Sequence, residues 1–179
     1  MYHPMKNRNN QEKNTYVRQH ILSALLELMR TQDFASISIK TLVNAAGVGR
    51  ASFYRNFASK EDVLQQESVR LTDAWKAEFE QAHPDGTPQQ GNEWLISLLD
   101  FYKEHAAFYL ALYHAGLSDI VLETILGYFD RAPETPNALA YLNSAVGYMI
   151  YGWIQEWMRR GMQESGTELA RMLAESQKK

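Results

Sequence analysis

At 179 residues and 45% apolar content, the chain is sized for one large or two small domains with a genuine core. It has no cysteine, which excludes a disulfide framework and a thiolate metal site and suits a reducing cytoplasm. The first twelve residues, MYHPMKNRNNQE, lack the apolar run of a signal peptide. Net charge is only −3, but residues 1–63 hold nine Lys/Arg against five Asp/Glu and residues 64–179 hold nine against sixteen, so a basic N-terminal part precedes an acidic one.

Residues 1–13 show no apolar periodicity and read as a mobile arm, with Lys6, Arg8 and Lys13 suited to phosphates or a minor groove. Asn14 or Thr15 is the expected cap of a first helix running to about Gln32, with Val17, Ile21, Leu22, Leu25, Leu28 and Met29 on its buried stripe. Ser36 or Ser38 caps a second helix. Lys40 and Thr41 lie in its first turn, where a cation opposes the helix dipole and a nearby phosphate would give it a reason.

The stretch IKTLVNAAGVGRASFYRNFASKEDVL, Ile39 to Leu64, reads as helix, tight turn, short helix and the start of a further helix. Leu42 and Ala46 are four apart, as are Phe53 and Phe57, so each pair shares a face. Gly47 stands where the turn needs positive φ, and Val48 fits as the corner plug. Facing outward are Arg50, Ala51, Ser52, Tyr54, Arg55 and Asn56, a cationic, hydroxylic and amide-bearing set without an acid, of the kind that pairs with phosphates and base edges. Ser59 caps the next helix, with Lys60, Glu61 and Asp62 in its first turn; Lys60 again opposes the dipole unless it holds an anion. That helix runs through Val63, Leu64, Ala74, Trp75 and Phe79 to about Gln81 and belongs to both parts of the chain.

HPDGTPQQG, residues 83–91, reads as a loop. Helices are then expected from an Asn92 cap through Tyr102, from Ala106 to Tyr113, from Asp119 to Asp130, from Asn137 to Arg160, and finally after a Thr167 cap. The run Ala138 to Ile154 falls short of a bilayer span and carries Asn143 and Ser144, so no membrane is expected. The fold is predicted as all-α with about nine helices: arm 1–13, helix-turn-helix domain 14–58 and helical body 59–179. In the penultimate helix Leu139, Leu142, Val146, Met149, Ile150, Trp153 and Trp157 exceed what one subunit needs. Gly147 and Gly152 would admit a close helix, which points to a homodimer.

Residues 16–64, above all AAGVGRASFYRNFASKEDVL, resemble the DNA-binding end of the TetR family of bacterial transcription regulators. Gly49 departs from the Ser or Thr that often caps the short helix there, and Phe53 replaces a common Leu. The C-terminal pattern with Tyr148, Gly152, Trp157 and Gly161 also resembles regulators grouped with dihydroxyacetone-kinase operon activators. The resemblance implies a homodimer on a palindromic double-stranded operator, with a four-helix dimer interface and a small effector in the body. Arg50 is then the expected guanine reader, Ser52 reaches a base or phosphate, Tyr54 and Lys60 hold phosphates, and Arg55 and Asn56 sit at the edge. Trp75, Phe79, Phe101, Tyr102, Tyr109 and Tyr148 are the candidate lining for an apolar or aromatic effector. Repression with effector release is the expected mode. The alternatives are an activator and a ligand-binding dimer without DNA. No cofactor, metal or catalytic residue is expected: GVGRAS follows a helix and lacks the third glycine of a dinucleotide loop, and Glu104-His105 lacks the second histidine of a zinc helix.

Overall fold

The structure, a computed structural model, describes residues 5–84, 93–129 and 131–176, with side chains between 13 and 175. These residues form α1 (Met5–Met29), a 3-10 turn (Phe34–Ser36), α2 (Ile39–Ala45), α3 (Arg50–Asn56), α4 (Lys60–Ala82), α5 (Glu93–Glu104), α6 (Ala106–His114), α7 (Asp119–Gly127), α8 (Asn137–Arg159) and α9 (Gly166–Ser176), with no strand among them. The chain divides into two compact units, 1–67 and 68–179. The division falls inside α4 rather than before it, because Val63 and Leu64 in the second turn of that helix are buried in the N-terminal core.

In the first unit α1 begins at Met5, not at an Asn14 or Thr15 cap. Residues 5–13 contain neither proline nor glycine, and Met, Lys, Arg, Gln and Glu propagate a helix without needing an apolar stripe. The side chains of Lys6 and Arg8 lie outside the described ones. Ile21, Leu25, Leu42, Phe53 and Leu64 form a closed centre, with Ile37, Val43, Ala46, Phe57 and Val63 around it. Ser38, rather than Ser36, caps α2 by accepting from the Thr41 N–H at 3.0 Å. Gly47 takes φ +64, which lets the chain turn sharply and bring α3 against α1 and α2. Ser59 accepts the Asp62 N–H at 3.1 Å and opens α4 as the pattern predicts.

In the second unit α5 packs on α9 and on α6, and α8 packs on α7 and α6. Close approach is built in by two glycines. A Cβ at Gly166 would lie 2.6 Å from the Asp100 backbone nitrogen, and one at Gly147 would lie 2.6 Å from Leu126 Cδ2. Gly147 therefore serves the subunit's own α7–α8 contact instead of admitting a second subunit, whereas Gly152 has nothing within 4 Å. The last helix is capped by Ser165, not Thr167. Ser165 Oγ accepts the Glu168 N–H at 3.2 Å, and Glu168 Oε2 accepts the Ser165 N–H at 2.8 Å, a reciprocal capping box. The Asn92 cap, most of the 83–91 loop and Asp130 fall outside the described residues.

Candidate nucleic-acid interface and effector cavity

The seven-residue α3 turns one residue firmly inward. Phe53 is 0% exposed and meets Phe57 with ring centroids 5.9 Å apart. With Phe53 fixed, helical geometry sends Arg50, Ala51, Tyr54 and Arg55 outward, and all four are exposed. The Arg50 guanidinium lies over the Tyr54 ring at 5.6 Å, with Nη2 at 3.5 Å from the phenol oxygen, so cation and hydroxyl form one surface patch. Lys40 and Thr41 are exposed at the start of α2, and the Thr41 hydroxyl is 2.9 Å from Ser38 Oγ. Ser52 is half-buried. Gly49, at the N-cap of α3, supplies no side-chain bond.

Two predicted contact residues are occupied elsewhere. Asn56 folds back, donating from Nδ2 to the Ser52 carbonyl at 2.8 Å. The Lys60 ammonium donates to the carbonyls of Phe34, Ala35 (3.3 Å) and Ile37 (2.9 Å) and rests 4.3 Å from the centre of the Phe34 ring. All three of its donors are spent on the turn before α2, which explains a cation at the α4 N-terminus without an external anion. Sequence reasoning misses this because the carbonyls it caps are 23–26 residues away.

The second unit contains a cavity of about 350 Å³ lined mainly by aromatic and aliphatic side chains. Of the six predicted lining residues, Trp75, Phe79 and Tyr102 face it. Phe101 instead lines a wider recess of about 910 Å³ that shares Trp75 and Phe79 as a wall. Tyr109 is fully buried, its ring tilted at 45° against Tyr102 with centroids 4.5 Å apart, and Tyr148 is exposed on α8; neither lines the cavity. Trp94, Tyr128 and Phe129 complete the aromatic wall. Helical spacing alone does not show which faces of the aromatics converge. Thr72, Lys76, Glu80 and His83 add polar and charged groups to the lining. Trp75 Nε1 donates to Ser97 Oγ at 2.9 Å, and Tyr128 donates to Asp73 Oδ1 at 2.6 Å. Burial, then the bond to Asp73, pushes the Tyr128 phenol up, and burial likewise raises Tyr102, so both stay neutral hydroxyls at physiological pH.

The outer face of α8 carries Leu139, Tyr141, Leu142, Tyr148 and Met149, all exposed, while Ile150, Ile154, Trp157 and Met158 fill the subunit's core. The predicted dimer stripe is thus split: Ile150 and Trp157 are internal. No helix among the described residues is long and apolar enough to cross a membrane.

A sequence profile described as "Bacterial regulatory proteins, tetR family" matches residues 21–66. A second, described as "Transcriptional regulator C-terminal region", matches residues 89–179, about half of the chain. It does not single out the dihydroxyacetone-kinase subgroup. The HTH-type transcriptional regulator AlkX of Mycobacterium tuberculosis is 32% identical over 57 residues, covering 32% of this chain. The chain spans 27% of that curated relative's length. The crystal structure of Lin0861 from Listeria innocua superposes with a TM-score of 0.74 over 93% of this chain and 91% of that one. At 16% identity that likeness is one of fold.

Proposed function

Because the chain belongs to the TetR family of bacterial transcription regulators, and so is a regulator rather than an enzyme, we propose that it is a homodimeric repressor released from a palindromic operator by a small, flat, largely apolar effector. The observation that carries this reading is the outward face of α3. Arg50, Tyr54 and Arg55 project from a helix anchored by Phe53, with no acid on its surface. A guanidinium at the first helical position can reach guanine O6 and N7 together, and Lys40 and Thr41 are suited to the flanking phosphates. One seven-residue helix reads few base pairs. Pairing through α8 would place two such helices on half-sites about one helical turn apart. The aromatic cavity supplies room for an effector, and α4 is the continuous helix common to both units. The protein would act in the cytoplasm, where its operator is.

The test is selection of bound sequences from random DNA, followed by gel shifts on the selected site. Arg50→Ala should weaken the operator by about 1–3 kcal/mol, roughly five- to 150-fold, and relax preference at a single base position. Unchanged affinity and preference would remove Arg50 as a reader. A selection that returns no consensus would favour the ligand-binding dimer without DNA.

A further inference from the structure

We propose that Gln66 is the positioning residue that fixes how α3 is presented, an inference that rests on α3 being the DNA reader. Its carboxamide sits where three elements of the first unit meet. Arg18 of α1 donates from Nη2 to Gln66 Oε1 at 2.7 Å, and the same guanidinium lies 5.2 Å from the centre of the Phe57 ring, just past the end of α3. Gln66 Nε2 donates to Asp62 Oδ2 at 2.9 Å and reaches the Asn56 carbonyl at 3.4 Å. Asp62 Oδ2 in turn accepts the Ala58 N–H at 2.8 Å. One side chain on α4 thereby ties the last residue of α3, the residues after it and α1 into a single clip.

The chemistry of that position is narrow. The group facing Arg18 must accept, because a guanidinium has no lone pair to offer, and the group facing the Asp62 carboxylate must donate. A carboxamide does both. The partners also settle its orientation, since turning the amide over would set NH₂ against Arg18 and oxygen against Asp62. A carboxylate at 66 could serve Arg18 but would repel Asp62. A lysine could serve Asp62 but would repel Arg18.

The clip matters because α3 has little else to hold it. Two turns of helix are not stable alone. Its N-terminus has only Gly49 as a cap, without a side-chain bond, and at its C-terminus the Phe57 N–H closes on the Phe53 carbonyl, leaving the carbonyls after it to other partners. Phe53 and Phe57 fix which face of α3 points inward, but they anchor it through a single apolar stripe. The directional bonds at its end refine the rotation about that stripe, and that refinement decides whether Arg50 meets a base edge or only a phosphate.

The experiment compares the full chain with Gln66→Met, which keeps the side-chain length and removes both polar functions, and with Gln66→Glu. Dissociation constants are measured for the selected operator and for a scrambled duplex at one salt concentration, alongside salt slopes and thermal unfolding. The expected result for Gln66→Met is an operator preference over scrambled DNA lowered about tenfold, the scale of losing a bond to a charged group. Affinity for scrambled DNA and the salt slope should stay near the parent values, while the unfolding temperature falls by a few degrees because bonds to two charged groups are lost. Gln66→Glu should lose at least as much preference, and adding Asp62→Asn, which restores a donor opposite the new carboxylate, should recover part of it. A Gln66→Met protein with the parent's preference would overturn the inference. So would one whose operator and scrambled affinities fall together with its unfolding temperature, which is what a purely structural residue would give. A parent protein with no preference for any site would instead sink the reading of α3, and this inference with it.

Discussion

The two units leave opposite kinds of side chain in the open. The first closes a compact apolar centre around Ile21, Leu25, Leu42, Phe53 and Leu64 and shows solvent Lys40, Arg50, Tyr54 and Arg55. The second is hollow inside and apolar outside: it keeps an aromatic cavity and exposes Leu139, Tyr141, Leu142, Tyr148 and Met149 along α8. A closed core beneath cations suits a rigid reader of a polyanion. An exposed apolar row suits a protein surface, because a contiguous apolar patch left in water is costly in solubility. Both units share one device. Lys60 in the first and Lys103 in the second each spend their ammonium on carbonyls far away in sequence: Phe34 to Ile37 for Lys60, Met162 and Gln163 for Lys103. A lysine at the surface of this protein is therefore not automatically a phosphate ligand.

The sharpest way to break the contrast is to make the outer face of α8 polar. Leu142 is 60% exposed, so Leu142→Glu should cost the subunit little while placing two carboxylates across a twofold interface. We expect sedimentation to show a monomer. Operator affinity should fall by about a hundredfold or more, because a second half-site bound through a linked partner adds avidity that a lone reader lacks. A variant that remains dimeric with full affinity would show that α8 does not pair, and the exposed row would need another occupant.

The two units also differed in how much the sequence revealed. The first was legible down to single residues because its determinants are local. Gly47 ends α2, Ser38 and Ser59 cap the helices that follow them, and the four-residue spacing of Phe53 and Phe57 names the buried face. What escaped there was the start of α1, at Met5 instead of an Asn14 or Thr15 cap, and the contacts that are non-local. The Lys60 carbonyl cage joins positions more than twenty apart, and the Gln66 clip joins position 66 to position 18. In the body the helices were legible, with boundaries shifted only slightly, but which aromatics share a cavity depends on how α4, α5, α7 and α8 rotate. Trp75, Phe79 and Tyr102 converge, Tyr109 is sealed in the core and Tyr148 points out, yet all five read alike in sequence. Likewise Gly147 and Gly152 are equivalent as letters, and only packing separates the α7 contact from the open face.

Lys60 and Lys40 sharpen the comparison within the first unit. Lys60→Met should lower its stability by about 1–2 kcal/mol, since the turn before α2 loses a donor for three carbonyls, and should leave the salt slope of DNA binding unchanged. Lys40→Ala should do the reverse: no measurable change in thermal unfolding, and a salt slope reduced by about one. Parallel salt titrations and melts of the two variants decide the matter. If Lys60→Met flattened the salt slope as Lys40→Ala does, the carbonyl cage would open on DNA and the ammonium would be a phosphate ligand after all.

The smallest effect belongs to the body and tests whether an exposed charge cluster holds α8 at all. Hydrogen bonds from Arg159 at 2.7 Å and Arg160 at 2.6 Å hold the Glu156 carboxyl down to about 2. A carboxyl lowered on folding contributes stability that is complete above its unfolded value, about 4.3, and disappears as pH falls toward 2. The unfolding temperature of the parent minus that of Glu156→Gln should therefore be slightly positive at neutral pH and close to zero at about pH 2. The difference should be small throughout, because all three side chains face water and the solvent screens them. A difference that instead widened on acidification would mean that the carboxylate opposes the fold, and that the arginines at the end of α8 act on the helix dipole without it.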